Sequence, residues 1–239
     1  MNSSRALIFI FLFLYFIVVN FNGMGDLDLK ICQSAFFDSL ESANNAFGTP
    51  HLFAELRFDL SALTIDDIPN LILPEKIIFT CRKGNLSTES RLEAYSLAID
   101  KEVDYIDIDF EEDMDLLEAL HFKIINSNTH LILSQHNYKM TPKFEVLKAS
   151  TQKAFDLGAD IAKIITTAKS ASDLKQVYLL YSHFDNLITF AMGKAGMESR
   201  AKILHLGAPF TYASFSNVKT APGQMNFHET VELYYQIKK

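Results

Sequence analysis

Cysteine is scarce: the 239-residue chain holds only Cys32 and Cys81. Two thiols cannot frame a disulfide-stapled domain or fill a four-ligand zinc site, so a reducing compartment is the simpler expectation and no metal is expected. Basic charge is also in deficit. Lys and Arg number 22 against 29 Asp and Glu, a formal net charge of −7. No broad positive field exists to meet a phosphate backbone, which excludes a general nucleic-acid binder. The nine glycines never assemble into G-x-G-x-x-G or a P-loop, which removes the common nucleotide cradles. Solenoid-like repeats and low-complexity tracts are absent as well.

One apolar run stands out, ALIFIFLFLYFIVV at 6–19. It is shorter than the ~20 residues a membrane-spanning helix needs and fits the apolar stretch of a secretory signal. Only Arg5 precedes it as a basic residue, and no small-x-small cleavage site follows. Met24 stands just before the first segment of globular character. A signal or anchor, a helix packed on the domain, and upstream translation of a chain starting at Met24 all remain open. We therefore expect residues 1–26 to form a separate hydrophobic segment and residues 27–239 a single domain.

Within 27–239, apolar strand-like runs recur at 28–34, 51–58, 76–81, 105–110, 130–134, 161–165, 187–192 and 210–214. Their starts are roughly 23 to 31 residues apart, about one βα unit. Amphipathic stretches lie between them. Residues 88–103 and 113–125 have near-helical apolar spacing, 141–157 opens with Thr-Pro at the expected cap and first turn, and 228–237 closes the chain. Eight strands alternating with helices, with no linker, predict a single-domain (β/α)8 TIM barrel of the α/β class.

Barrel chemistry sits at the C-terminal strand ends. Taken in order, those ends carry Ser34, Glu55 with Arg57, Arg82, Asp107 with Asp109, His136 and Lys163; the loops after the seventh and eighth strands carry Arg200, Thr220 and Gln224. Residues two apart on a strand share a face, so Glu55 and Arg57 point the same way, as do Asp107 and Asp109. Lys163 is set in the middle of the β-branched run 161–165. Buried there it must be ion-paired, snorkelling, shifted in pKa or used chemically. Each of the others has a structural alternative too: an interior ion pair for Glu55 and Arg57, helix caps for the aspartates, a turn histidine, a helix-surface arginine. Together, carboxylate, amine and imidazole make an acid–base and covalent set. Cys81 is expected to face the helices.

These residues also fall into recognisable motifs. ICQS at 31–34, ELRFD at 55–59, FTCR at 79–82, YIDIDF at 105–110 and LSQHNYKMTP at 133–142 come first; GADIAKI at 158–164, ITFAMGKAGMESR at 188–200 and TAPGQM at 220–225 follow. In this order they resemble type I 3-dehydroquinate dehydratase, the imine-forming enzyme of the shikimate pathway. The resemblance implies that Lys163 forms the imine and that His136 is the acid–base. It implies that Ser34, Glu55, Arg57, Arg82, Arg200, Thr220 and Gln224 bind 3-dehydroquinate. The loop at 220–225 would act as a lid, and no cofactor beyond the covalent imine would be needed.

Three departures accompany the resemblance. The family often carries, four residues after the arginine matching Arg82, a glutamate that orients the histidine; here that position is Leu86. Asp109 stands where glutamate is usual, and Thr220 where serine is usual. Asp109 is the expected substitute partner of His136, and Glu89 the second candidate. An apolar strand and the nearby Arg57, Arg82 or Arg200 are expected to lower the pKa of Lys163. The competing readings are another lysine-imine barrel such as a class I aldolase, and a degenerate barrel acting as a binding module. A cytoplasmic homodimer is the expected form, with membrane contact only if the N-terminal segment is an anchor.

Overall fold

Eight short parallel strands form one sheet in the order β7-β6-β5-β4-β3-β2-β1-β8. They are β1 (Ile31–Ala35), β2 (Phe53–Arg57), β3 (Lys76–Thr80), β4 (Tyr105–Asp109), β5 (His130–His136), β6 (Ile161–Thr167), β7 (Leu187–Met192) and β8 (Thr211–Ser214). The computed structural model describes residues 27, 29–216 and 223–237. The hydrophobic segment 1–26 and Thr220 lie outside the described residues. The two ends of the sheet face each other: the rings of Phe190 on β7 and Tyr212 on β8 are 6.4 Å apart, although no ladder of hydrogen bonds joins these strands. The result is the expected (β/α)8 barrel, nearly closed.

The helices are α1 (Leu40–Phe47), α2 (Thr88–Asp100), α3 (Met114–Ile125), α4 (Phe144–Asp156), α5 (Ala171–Leu179), α6 (Ser199–His205) and α7 (Phe227–Ile237). Their starts follow capping chemistry. Ser39 accepts a hydrogen bond from the Ser42 amide, and Ser87 from that of Ser90, satisfying donors that a helix leaves unpaired. Between β2 and β3 no α-helix forms. Two 3-10 turns, Phe58–Leu60 and Ile65–Asn70, cross instead, with Pro69 inside the second. The fourth helix starts later than its Thr-Pro suggested, with Lys143 at the cap. Thr141 is drawn instead to β6, its hydroxyl 2.9 Å from that of Thr166 and donating to the Thr167 carbonyl at 3.1 Å.

Apolar side chains on alternate strand positions pack outward against the helices, among them Leu56, Phe79, Ile106, Leu133 and Ile164. Cys81 belongs to this outer shell, and its backbone N–H donates to Tyr95 Oη at 2.9 Å. The remaining positions fill the barrel in tiers drawn from alternate strands. Phe53, Tyr105 and Phe210 close the floor, their ring centroids 4.9 to 6.5 Å apart, with the Lys76 ammonium 4.9 Å from the Phe53 ring. Above them lie Cys32, Ile78, Ile132 and Ile188, all fully buried. The next tier, from β2, β4, β6 and β8, is Glu55, Asp107, Lys163 and Tyr212. The interior is apolar at its base and charged from mid-height up.

Candidate active site

At mid-barrel Lys163 is 5% exposed, and its Nζ donates to Asp107 Oδ2 at 2.7 Å. Glu55 Oε1 is 3.9 Å away, and the ring of Tyr212 lies with its centroid 4.1 Å from the nitrogen. Asp107 is fully buried and gathers three donors. Besides Lys163, Arg82 Nη2 donates to its Oδ1 at 2.7 Å and Ser134 Oγ at 2.6 Å. Burial alone would raise its pKa, but Arg82 and Lys163 outweigh that and hold the carboxyl well below the usual range. Glu55 is anchored similarly, by Ser34 Oγ at 2.6 Å and Thr80 Oγ1 at 2.9 Å. It is lowered as well, Lys163 and Arg57 overcoming the effect of burial.

His136 ends β5, which runs two residues beyond the run read from sequence. Its Nδ1 is 3.3 Å from Asp109 Oδ2, and Asp109 is steadied by the Glu111 amide at 3.0 Å. Burial pulls the imidazole below its ordinary value; the Asp109 contact opposes this, while Arg82 and Lys163 reinforce it. A neutral imidazole with Nδ1–H turned to the carboxylate leaves Nε2 as a base. Outside it, the exposed ring of Tyr138 stacks on His136 at a centroid distance of 6.0 Å and 15°.

Arg200 completes the site from a different direction. It lies on α6 rather than in the loop expected from sequence, because Ser199 starts the helix early, accepting the Ala191 N–H at 2.9 Å and donating to the Gly196 carbonyl. The guanidinium is 2% exposed, stands 4.3 Å over the Phe190 ring, and leaves Nε without a hydrogen-bond partner. No carboxylate faces it among the described residues, and burial alone pulls its pKa down to about 10. A buried cation with no counter-ion is a place prepared for an anion. Arg57 differs, being forked onto Asp59 at 3.0 and 2.6 Å.

Ser34, Glu55, Arg57, Arg82, His136, Lys163, Arg200 and Gln224 thus line a single cavity of about 110 Å³. Gln224 is held there beside β8, where the Ser214 amide donates to the Met225 carbonyl at 2.8 Å. Gly223 has φ +72, and a Cβ there would come 3.0 Å from the Gly193 carbonyl oxygen. Among the described residues no three His, Cys, Asp or Glu side chains gather as a metal site.

The described candidates read from the strand ends thus lie at the cavity or are bonded to a residue that lines it, but the surroundings of Lys163 differ from expectation. Carboxylates, not arginines, face the amine: Arg82 turns to the far oxygen of Asp107, Arg57 to Asp59 and Arg200 to Phe190. Asp107 caps no helix. Its alternation with Asp109 shows that it points inward but not how deep it lies. Glu89 is exposed in the first turn of α2, bonded to Ser87 and its own backbone, and Leu86 packs against the outer apolar shell. The residue brought to His136 is Asp109.

Comparison with known proteins agrees with this geometry. The family model described as type I 3-dehydroquinase matches residues 52–239. The 3-dehydroquinate dehydratase of Pyrococcus abyssi is 34% identical over 187 residues, covering 72% of this chain and 83% of its own. That of Methanococcus maripaludis strain C5 is 31% identical over 213 residues, covering 86% and 96%. Among solved structures, type I 3-dehydroquinate dehydratase from Clostridium difficile, carrying covalently modified comenic acid, superposes with a TM-score of 0.76 at 20% identity, covering 87% of this chain and 92% of that one. The enzyme from Geobacillus kaustophilus gives 0.73 at 23%, covering 87% and 90%. These two likenesses speak for the fold, and the family match and sequence relatives for descent. The chain belongs to the type I 3-dehydroquinase family.

Proposed function

We propose that this chain is a 3-dehydroquinate dehydratase, a hydro-lyase that removes water from 3-dehydroquinate to give 3-dehydroshikimate through a lysine imine. The observation that carries the reading is a buried lysine whose cavity is also walled by an imidazole and by an arginine that faces no carboxylate among the described residues. Lys163 attacks the ring ketone, and loss of water leaves a protonated imine. That cation makes the neighbouring C–H acidic, because the electron pair left by the proton delocalises onto nitrogen. His136 takes this proton and returns one to the departing hydroxyl. One residue serves both steps only if proton and hydroxyl leave from the same ring face, so the elimination is syn. Hydrolysis of the product imine frees the lysine.

Arg200 holds the substrate carboxylate with a planar two-pronged grip. Glu55, Arg57, Arg82, Ser34 and Gln224 address the ring hydroxyls, with Thr220 included from the family pattern. The imine supplies the electron sink, so no cofactor enters. The reading further places the enzyme in aromatic biosynthesis, as a cytoplasmic homodimer. A class I aldolase or a binding module has no observation of its own in its favour.

Borohydride reduction in the presence of 3-dehydroquinate tests the chemistry. A covalent adduct on Lys163 is expected by mass spectrometry, and Lys163→Ala should give neither adduct nor turnover. Equal dehydration by Lys163→Ala and wild type would sink the imine. His136→Ala should retain trapping while turnover falls by about 10²–10⁴-fold, the contribution of a positioned acid–base.

A further inference from the structure

Among the described residues, buried polar side-chain atoms with no hydrogen-bond partner are few, and they are not scattered. Of the four, Arg82 Nη1, Arg200 Nε and Tyr212 Oη belong to residues lining the cavity. Protein interiors rarely tolerate such atoms unless a ligand or water completes them. The two arginines already have assigned work. The phenol of Tyr212 does not.

Its setting is specific. Tyr212 sits in the same tier as Lys163, Asp107 and Glu55, with its ring against the lysine nitrogen. The aliphatic hydroxyls around this tier are already engaged: Ser34 and Thr80 donate to Glu55, and Ser134 to Asp107. Among the described hydroxyls of this tier, Tyr212 Oη is the one buried without a partner. Burial, with Glu55 and Asp107 adding to it, pushes the phenol well above its ordinary pKa, so it keeps its proton.

Resting on the lysine-imine reading, we propose that Tyr212 is a further catalytic group of imine formation. Its hydroxyl donates a hydrogen bond to the substrate's carbonyl oxygen as Lys163 attacks, and its ring face bears the positive charge of the iminium nitrogen. The nitrogen lone pair forms the N–C bond while the carbonyl π pair moves onto oxygen, where the phenol meets the developing negative charge. Asp107, which accepts the hydrogen bond from Nζ, takes one ammonium proton to free the lone pair; that proton and the second that nitrogen sheds after attack pass to the oxygen through Asp107 and His136, the C–O bond breaks and the oxygen leaves as water. Taken from ammonium and ketone to iminium and water, the step balances with no outside acid or reductant, and the phenol lends a hydrogen bond without losing its proton. The charge that began on the ammonium ends on the iminium, over the same ring face.

Rapid-quench borohydride trapping in single turnover separates the two contributions. Tyr212→Phe keeps the ring and removes the donor; the rate of adduct appearance should fall by about 100-fold, as when one oxyanion donor is deleted. The melting temperature of the variant is measured alongside. Adduct forming at the wild-type rate in Tyr212→Phe would overturn the donor role. Replacing that phenylalanine with its trifluorinated analogue, of equal shape but poorer π density, should lower the trapped fraction at subsaturating substrate by severalfold more. No change on fluorination would overturn the ring's role. If wild type itself gives no adduct, the lysine-imine reading fails; if wild type traps and the variants match it, only the Tyr212 proposal does.

Discussion

His136 has a carboxylate within reach at its Nδ1, that of Asp109, 3.3 Å away. The loop after β3 packs Leu86 against the outer core, and it is the end of β4 that brings a carboxylate to the imidazole. Asp109 favours the imidazolium form of His136. Asp109→Asn therefore lowers the histidine pKa further, so the acid limb of the kcat profile should move to lower pH. The turnover should fall by about tenfold or more, since the ring loses its orienting acceptor, a fraction of what a positioned acid–base contributes. A pH–rate series measures both; an unmoved acid limb would remove Asp109 from this role. Individual site residues were legible because strand ends and alternation identify which side chains face inward. Depth was not. Asp107 and Asp109 look equivalent in YIDID, yet one is sealed in the tier of the lysine and bonded to it, and the other stands nearer the mouth beside His136.

Elements are tied together by contacts that no local pattern announces. Arg91 on α2 is 2% exposed and forks onto Asp113, just ahead of α3, at 2.8 and 2.5 Å, while its Nε donates to the Cys81 carbonyl at 3.0 Å. It thus fastens the ends of two βα units on the outer side of the barrel. Removing one partner of such a pair strands the other charge in the core. Arg91→Met should cost about 3–5 kcal/mol in urea denaturation, and adding Asp113→Leu should recover most of it. A loss under 1 kcal/mol for the single change would contradict this. In sequence, Arg91 reads as one of the solvent-side charges of an amphipathic helix, because its partner is 22 residues away. The eight strands, by contrast, were legible through repeated apolar runs. The missing helix between β2 and β3 had no such signal, since capping residues precede the 3-10 turns as they would a full helix.

Over the whole molecule, the family match begins at residue 52, yet the fold starts earlier. Leu27 is buried with Ile31 and Ala213, and Leu204, Phe227, Val231 and Tyr234 pack against this cluster. We infer that the domain boundary falls at residue 27. A chain lacking residues 1–26 should keep the melting temperature of the full chain and its substrate trapping, whereas removal through Ile31 should destabilise it by several kcal/mol. Each large aliphatic side chain withdrawn from the core accounts for about 1.5–3 kcal/mol. Differential scanning calorimetry of the two truncations decides the point, and instability of the first would move the boundary upstream. At the opposite end from the mouth, Phe53, Tyr105 and Phe210 with the Lys76 ammonium above the Phe53 ring close the base. The reaction therefore runs in a cul-de-sac. Whatever is made must leave by the door through which its precursor came, so a departing ring physically bars the next arrival.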